Sequence, residues 1–188
     1  MNLLEEQENN TFELSVSNAK KHTELLPNTI SDESWKELSE EILISLIVQG
    51  KAIQYNPVYI YGKSYDIEGF SERLQSRLDE KKADRVCALQ GDSFVKQLIK
   101  SYIGGFKDEF RKRIRNADIL IFTSIEEIQG KNACMEEFYS LFDYYYERQR
   151  MIIIGSSLPA NQLTKLAERV YTQISSGLIV PWRREKNN

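Results

Sequence analysis

Short, unbroken apolar runs alternate along this chain with stretches whose apolar residues recur at helical spacing. That alternation restricts the fold to a parallel sheet covered by helices on both faces. Val58 to Tyr61, Ile119 to Phe122 and Met151 to Ile154 are continuous apolar runs too short for helices, and Arg85 to Leu89 and Gly177 to Val180 complete five predicted strands. Between Ser31 and Gly50, Trp35, Leu38, Ile42 and Leu46 share one helical face, with Ser34 and Glu37 spaced as a capping box. Ile67, Phe70, Leu74 and Leu78 stripe a second helix. Asp92 is set to cap a third, carrying Phe94, Val95, Leu98, Ile99 and Tyr102, which Gly104-Gly105 ends. Phe106, Phe110 and Ile114 mark a short fourth helix. Met135, Phe138, Phe142 and Tyr145 mark a long one over 133–149, and Asn161 to Val170 reads as the last.

The chain has 188 residues, 41% hydrophobic and 28% charged, which is the usage of one ordinary globular core. A net charge of −3 argues against avid non-specific DNA binding, which rests on a basic face. Cys87 and Cys134 are too few and too far apart for a disulfide framework or a zinc motif. His22 is the single histidine, and no metal is expected. No apolar run approaches the roughly 20 residues of a membrane span, and Met1 to Glu6 is acidic where a signal peptide is basic. The expectation is a cytoplasmic protein that does not contact membranes.

Asn56-Pro-Val-Tyr-Ile-Tyr-Gly62 reads as a strand entering a turn, and the next residues test whether that turn holds phosphate. The phosphate-binding pattern GxxxxGK[ST] needs glycines so that backbone N–H groups face the phosphates, a lysine for the outer phosphates and a hydroxyl for magnesium. In GKSYDIEG, Gly62 keeps the first position, Ile67 stands at the second glycine, Glu68 replaces the lysine and Gly69 replaces the hydroxyl. Two unit charges about 4 Å apart at an effective dielectric near 20 interact by roughly 4 kcal/mol, so a carboxylate in the lysine's place turns attraction into repulsion. Taken alone, the segment is equally a strand followed by an ordinary loop.

Other segments fall in a telling order. Thr11-Phe12-Glu13, NPVYIYG at 56–62, the stretch from Ser93 to Phe122, Gly130-Lys131, Glu136-Glu137-Phe138, Ile154-Gly-Ser-Ser-Leu-Pro159, Leu166-Ala-Glu-Arg169 and Gly177-Leu-Ile-Val180 follow one another over roughly residues 11–180. In that order and spacing the chain resembles the ATPase domain of the bacterial replication initiator DnaA. The resemblance implies the P-loop NTPase fold: a RecA-like, AAA+ base, a three-layer sandwich with a five-stranded parallel sheet. It also implies a domain over 11–182, between an N-terminal tail over 1–10 and a C-terminal tail over 183–188. After Val180 only residues 181–188 remain. If the sequence is complete, the family's helical lid and its helix-turn-helix DNA-binding domain are missing.

The departures from the family's pattern are as consistent as the matches. Thr123 and Ser124 stand where the Walker B aspartates would be, Ser157 stands at sensor 1, and Gln173 stands at the arginine finger, while the preceding arginine is kept as Arg169. With Walker A also degenerate, the resemblance implies fold and ancestry without ATPase chemistry: a pseudo-ATPase with no cofactor. The expected role is a protein-interaction module or regulator in replication initiation. Its partner would be a full-length initiator or a replisome component, and homo-oligomerisation is left open. One alternative is a nucleotide-binding ATPase with an altered loop, in which Lys63 stands in for the lost lysine and Glu126 or Glu127 for the metal carboxylates.

A further alternative is weak single-stranded DNA binding through the basic stretch Arg111-Lys112-Arg113 with Arg115, aided by Tyr102, and Arg169 joins these as a candidate nucleic-acid or partner contact. The plain structural account of that stretch is a solvated helix face paired with Asp108 and Glu109. Tyr144-Tyr145-Tyr146 offers aromatic anchors for a partner, although helical spacing sends at least one of them into the core. Trp182 with Arg183 and Arg184 is either a docking element or a frayed end.

Overall fold

The computed structural model describes residues 32–81 and 86–182. The expected tails, Thr11-Phe12-Glu13, His22, Arg85, Arg183 and Arg184 lie outside them. The chain divides into two units, 1–40 and 41–188. Of the first, the described residues form the N-terminal part of helix α1, Asp32–Val48. The second holds β1 (Val58–Gly62), α2 (Ser64–Lys81), β2 (Val86–Gln90), α3 (Gly91–Ile103), α4 (Lys107–Arg115), β3 (Ile119–Thr123), α5 (Asn132–Glu147), β4 (Met151–Ser156), α6 (Glu168–Ser176) and β5 (Leu178–Trp182). The five strands form one sheet in the order β2-β3-β4-β1-β5, and every pairing is parallel. This is the α/β sandwich that the alternating pattern predicts.

Successive side chains on a strand point to opposite faces, so each central strand feeds two cores. Tyr59, Leu120, Phe122, Ile152 and Ile154 pack with Phe94, Phe138 and Phe142 on one side. Val58, Ile60, Ile119, Ile121 and Ile153 pack with Ile44, Phe70 and Leu74 on the other. All of β3 and β4 is buried, which is why their sequences are unbroken apolar runs. Two polar devices fix the register. Asn56 donates its side-chain amide to the Arg150 carbonyl at 2.9 Å and accepts from Ile152 N–H at 2.8 Å, tying β1 to β4. Leu178 N–H donates to the Pro57 carbonyl at 3.0 Å, and a Cβ on Gly177 would lie 2.0 Å from that same oxygen, so only glycine lets β5 close on β1.

Four expectations are corrected. Asn161 to Val170 is not a helix: a short 3-10 turn covers Ala160–Gln162, and α6 begins only at Glu168. Two of the backbone donors between them go to tertiary partners, Lys165 N–H to the Gln129 side chain at 3.2 Å and Ala167 N–H to the Tyr139 hydroxyl at 2.7 Å, while Leu163 and Leu166 N–H make local turns to the Ala160 and Leu163 carbonyls. Asp92 does not cap α3, because the helix starts at Gly91 with Gln90 before it and Asp92 pairs with Lys96 at 2.5 Å. Ser34 lies within α1, past its first residue. Trp182 is no frayed end: it is the last residue of β5 and is buried. Among the described residues no helix is long and apolar enough to cross a membrane.

Candidate functional site

Ligands of a parallel α/β sheet bind beyond the C-terminal ends of its strands. Here that edge is formed by Gly62, Gln90, Thr123 and Ser156. A phosphate loop needs several residues between strand and helix, with their N–H groups turned toward the anion. β1 ends at Gly62 and α2 begins at Ser64, so Lys63 alone lies between them. Its carbonyl accepts the N–H groups of Asp66 at 2.9 Å and Ile67 at 3.2 Å, and those backbone donors are thereby used within the first helical turn.

Apolar side chains fill the space on either side. Ile67 is buried, and a Cβ on Gly155 of β4 would come within 2.4 Å of its Cγ2. On the other flank of β1, a Cβ on Gly62 would lie 2.3 Å from the Trp182 carbonyl oxygen. The Trp182 ring stands edge-on to Phe70, with ring centres 5.4 Å apart. Gly62, the one position of the phosphate motif that the chain keeps, is therefore required by the adjoining strand. Glu68, in the lysine's place, is exposed and accepts the Gln90 amide at 2.9 Å.

The Walker B and sensor positions are joined by one carboxylate. Thr123 is buried at the end of β3, and Ser124 turns the chain with φ 54° and ψ 46°. The turn brings Glu126 against the end of β4, where its two oxygens accept the Ser156 hydroxyl at 2.7 Å and the Ser157 N–H at 3.0 Å. The Ser156 hydroxyl also accepts Leu158 N–H at 3.1 Å, and the Leu158 carbonyl accepts the Tyr59 hydroxyl at 2.6 Å. Burial pushes the Tyr59 phenol well above its usual range. Glu126, considered from the sequence as a metal carboxylate, thus has both oxygens committed to β4, while Glu127 is exposed. Ser156, which sequence reasoning did not single out, centres this network; its signal was a hydroxyl closing an apolar strand. Among the described residues no group of three His, Cys, Asp or Glu side chains is placed to hold a metal ion.

The remaining predicted residues lie apart from this edge. Gln173 has its side-chain oxygen buried without a hydrogen-bond partner. Arg169 is held in its own chain by Asp143 at 2.9 Å. It lines an open depression of about 340 Å³ with Arg115, Ser140, Tyr144 and Arg148, on the outer face of α5.

The basic stretch of α4 is largely engaged. Arg111 grips Glu137 of α5 through two nitrogens at 2.6 and 2.7 Å, Arg113 donates to Gln97 at 2.6 Å, and Arg115 donates to Ser140 at 2.9 Å and lies over the Tyr144 ring. The ion pair expected with Asp108 and Glu109 is instead made with Glu137, which is only 2% exposed. Lys112 is exposed. Of the three tyrosines, Tyr145 is the one in the core, its hydroxyl donating to the Ile114 carbonyl at 2.6 Å. Cys87 and Cys134 are free thiols whose ionisation burial pushes upward.

Comparison with known proteins places these features in context. Residues 36–181 match the family described as the bacterial DnaA ATPase domain. The chromosomal replication initiator protein DnaA of Corynebacterium jeikeium (strain K411) is 28% identical over 141 residues, which cover 71% of this chain and 23% of that protein. A solved structure of the replication initiator DnaA bound to AMPPCP and single-stranded DNA superposes with a TM-score of 0.67 at 22% identity, covering 76% of this chain and 46% of that one. The DnaC helicase loader superposes with a TM-score of 0.66 at 15% identity, covering 84% of this chain and 93% of that one. The chain thus spans about a quarter of the length of the curated initiator and half of the solved one.

Proposed function

The chain belongs to the bacterial DnaA ATPase-domain family, and from that membership we propose that it is a catalytically silent member acting through protein contacts in replication initiation. The observation that carries this proposal is the start of α2 at Ser64, one residue past β1, with Ile67 and Trp182 packed where a phosphate loop would open. Glu68 stands in the lysine's place and Glu126 and Glu127 follow the end of β3, carboxylates that disfavour a triphosphate at this edge. Lys63 leaves the chain ahead of α2, which is poor placement for a stand-in phosphate ligand.

An ATPase of this family works beside its neighbours, each base meeting the next subunit's nucleotide edge. A chain whose own edge is filled, whose finger position holds Gln173 and whose Arg169 is engaged by Asp143 would end such a row. We therefore assign it a cytoplasmic role as a cap on, or adaptor to, a full-length initiator or another replisome protein. Single-strand binding is supported less well, because Arg111, Arg113 and Arg115 are occupied within the fold.

Calorimetric titration with ATP and ADP in magnesium tests the proposal. We expect no saturable heat, no phosphate release and no change in melting temperature, whereas a ligand at 100 times its dissociation constant would add about 2.7 kcal/mol of stability. Saturable nucleotide binding would overturn the silent assignment. A pull-down with the tagged chain that recovers no replication protein would overturn the partner assignment.

A further inference from the structure

The end of α3 exposes apolar side chains that the fold itself leaves uncovered. Ile99 is 52% exposed, Tyr102 50%, Ile103 84% and Phe106 38%. Ile99, Tyr102 and Ile103 are spaced i, i+3 and i+4, a seam on one face of α3, and Phe106 follows just beyond the helix end. Gly104 lets the seam run on past the helix, because a Cβ there would lie 2.3 Å from the Phe106 ring that folds over it. Isolated exposed apolar residues are ordinary, but a contiguous stripe of them marks a contact surface.

Within the segment that carries the stripe, the charged side chains are all lysines. Residues 93–107 contain Lys96, Lys100 and Lys107 and no carboxylate, although the chain as a whole carries a net charge of −3. Lys107 sits 4.1 Å above the Tyr102 ring, bonds its hydroxyl and lies 3.6 Å from Glu137, which leaves Lys100 as the exposed lysine beside the stripe without a carboxylate partner among the described residues. Asp92, one end of α3 away, is taken up by Lys96, and Asp108 and Glu109 follow on the first turn of α4.

We propose that this face receives an acidic amphipathic helix of a partner protein, its apolar stripe on Ile99, Tyr102 and Ile103 and its carboxylates toward Lys100 and Lys107. A helix fits because a seam at this spacing packs against another helix, ridge into groove. Nucleic acid fits worse. Bases stack on aromatic faces, and the most exposed members here, Ile99 and Ile103, offer none. The neighbouring arginines that would neutralise phosphates are bonded to Glu137, Gln97 and Ser140. A second copy of this chain would set lysine against lysine. The surface gives a location to the protein contact proposed above and in that respect rests on it.

The test titrates the full chain with a peptide about three heptads long, with Leu in the seam and Glu on its flanks. A scrambled acidic peptide, a Lys-flanked peptide and oligo(dT) serve as comparisons, and sedimentation of the chain alone reports self-association. The Glu-flanked peptide is expected to bind above the scrambled control. Ile103→Asp should weaken it about tenfold or more. Lys100→Glu should weaken it and admit the Lys-flanked peptide. Both substitutions fall on exposed side chains, and unchanged melting curves confirm that the variants fold.

No preference over the scrambled peptide, oligo(dT) binding lost in Ile103→Asp, or self-association lost in Ile103→Asp would each overturn the proposal. An ATP titration on the same samples separates the two assignments. Nucleotide heat with retained peptide binding sinks only the silent-domain assignment, and absence of both heat and peptide binding sinks only this surface.

Discussion

Glu137 and Arg111 form an ion pair whose two halves stand in different surroundings. The carboxylate is 1% exposed and the guanidinium 30%. Removing one partner costs most when it leaves the other buried and uncompensated. Arg111→Ala strands Glu137 with only Lys107, 3.6 Å away, whereas Glu137→Gln leaves an arginine that reaches water. In urea titrations Arg111→Ala should therefore cost about 3 kcal/mol and Glu137→Gln about 1 to 2 kcal/mol. For the same reason Lys112→Ala is the cleaner probe of any nucleic-acid contact by α4, since loss of Arg111 unsettles the fold. None of this was legible in the sequence, because Glu137 lies 26 residues from the arginine it holds.

The buried phenols of Tyr59 and Tyr145 give a second expectation at this scale. Burial raises both above the ordinary value of 10.0. Above that pH the unfolded chain loses these protons while the folded chain keeps them, so stability is fully present below pH 10 and falls as pH rises beyond it. Urea midpoints measured from pH 8 to 11 should show that fall. Tyr59→Phe and Tyr145→Phe should each flatten it, at a cost of about 1 kcal/mol near neutrality for the lost hydrogen bond.

Among the elements, α2 decides how the nucleotide edge is read. Its stripe of Ile67, Phe70, Leu74 and Leu78 is visible in the sequence, and all four are buried. Its start is not visible, because the hydrogen bonds from Asp66 and Ile67 to the Lys63 carbonyl leave no pattern in residue types. Motif spacing shows which residues replace the Walker A positions; the packing shows that the loop itself has become helix. Restoring the lysine and hydroxyl with Glu68→Lys and Gly69→Ser, Ile67 remaining, should give no ATP-dependent rise in melting temperature. A rise approaching the value expected for a bound ligand would mean that α2 opens readily at its start. The displaced α6 has a related cause: in the stretch read as helix from Asn161 to Val170, Gln129 and Tyr139 from elsewhere in the chain claim the backbone donors of Lys165 and Ala167.

At the scale of the whole molecule, a five-stranded parallel sheet was legible because each buried strand writes its two cores into an unbroken apolar run, whereas the strand order came only from the structure. β2 and β5 were harder to delimit, since as edge strands they mix buried with partly exposed positions. Stability should follow the same gradient. In native-state hydrogen exchange the slowest amides are expected in β3, β4 and the buried part of β1, with β2 and β5 faster. Saturating magnesium-ATP should leave the profile unchanged, and protection gained at Gly62 to Gly69 would contradict a filled site. One consequence reaches beyond these measurements. The residue beside Gly62 is an indole, and the chain has only one other tryptophan, Trp35. A Trp35→Phe protein would therefore report on the filled edge by its intrinsic emission, blue-shifted while the ring lies against Phe70 and moving to the red if β5 ever withdraws.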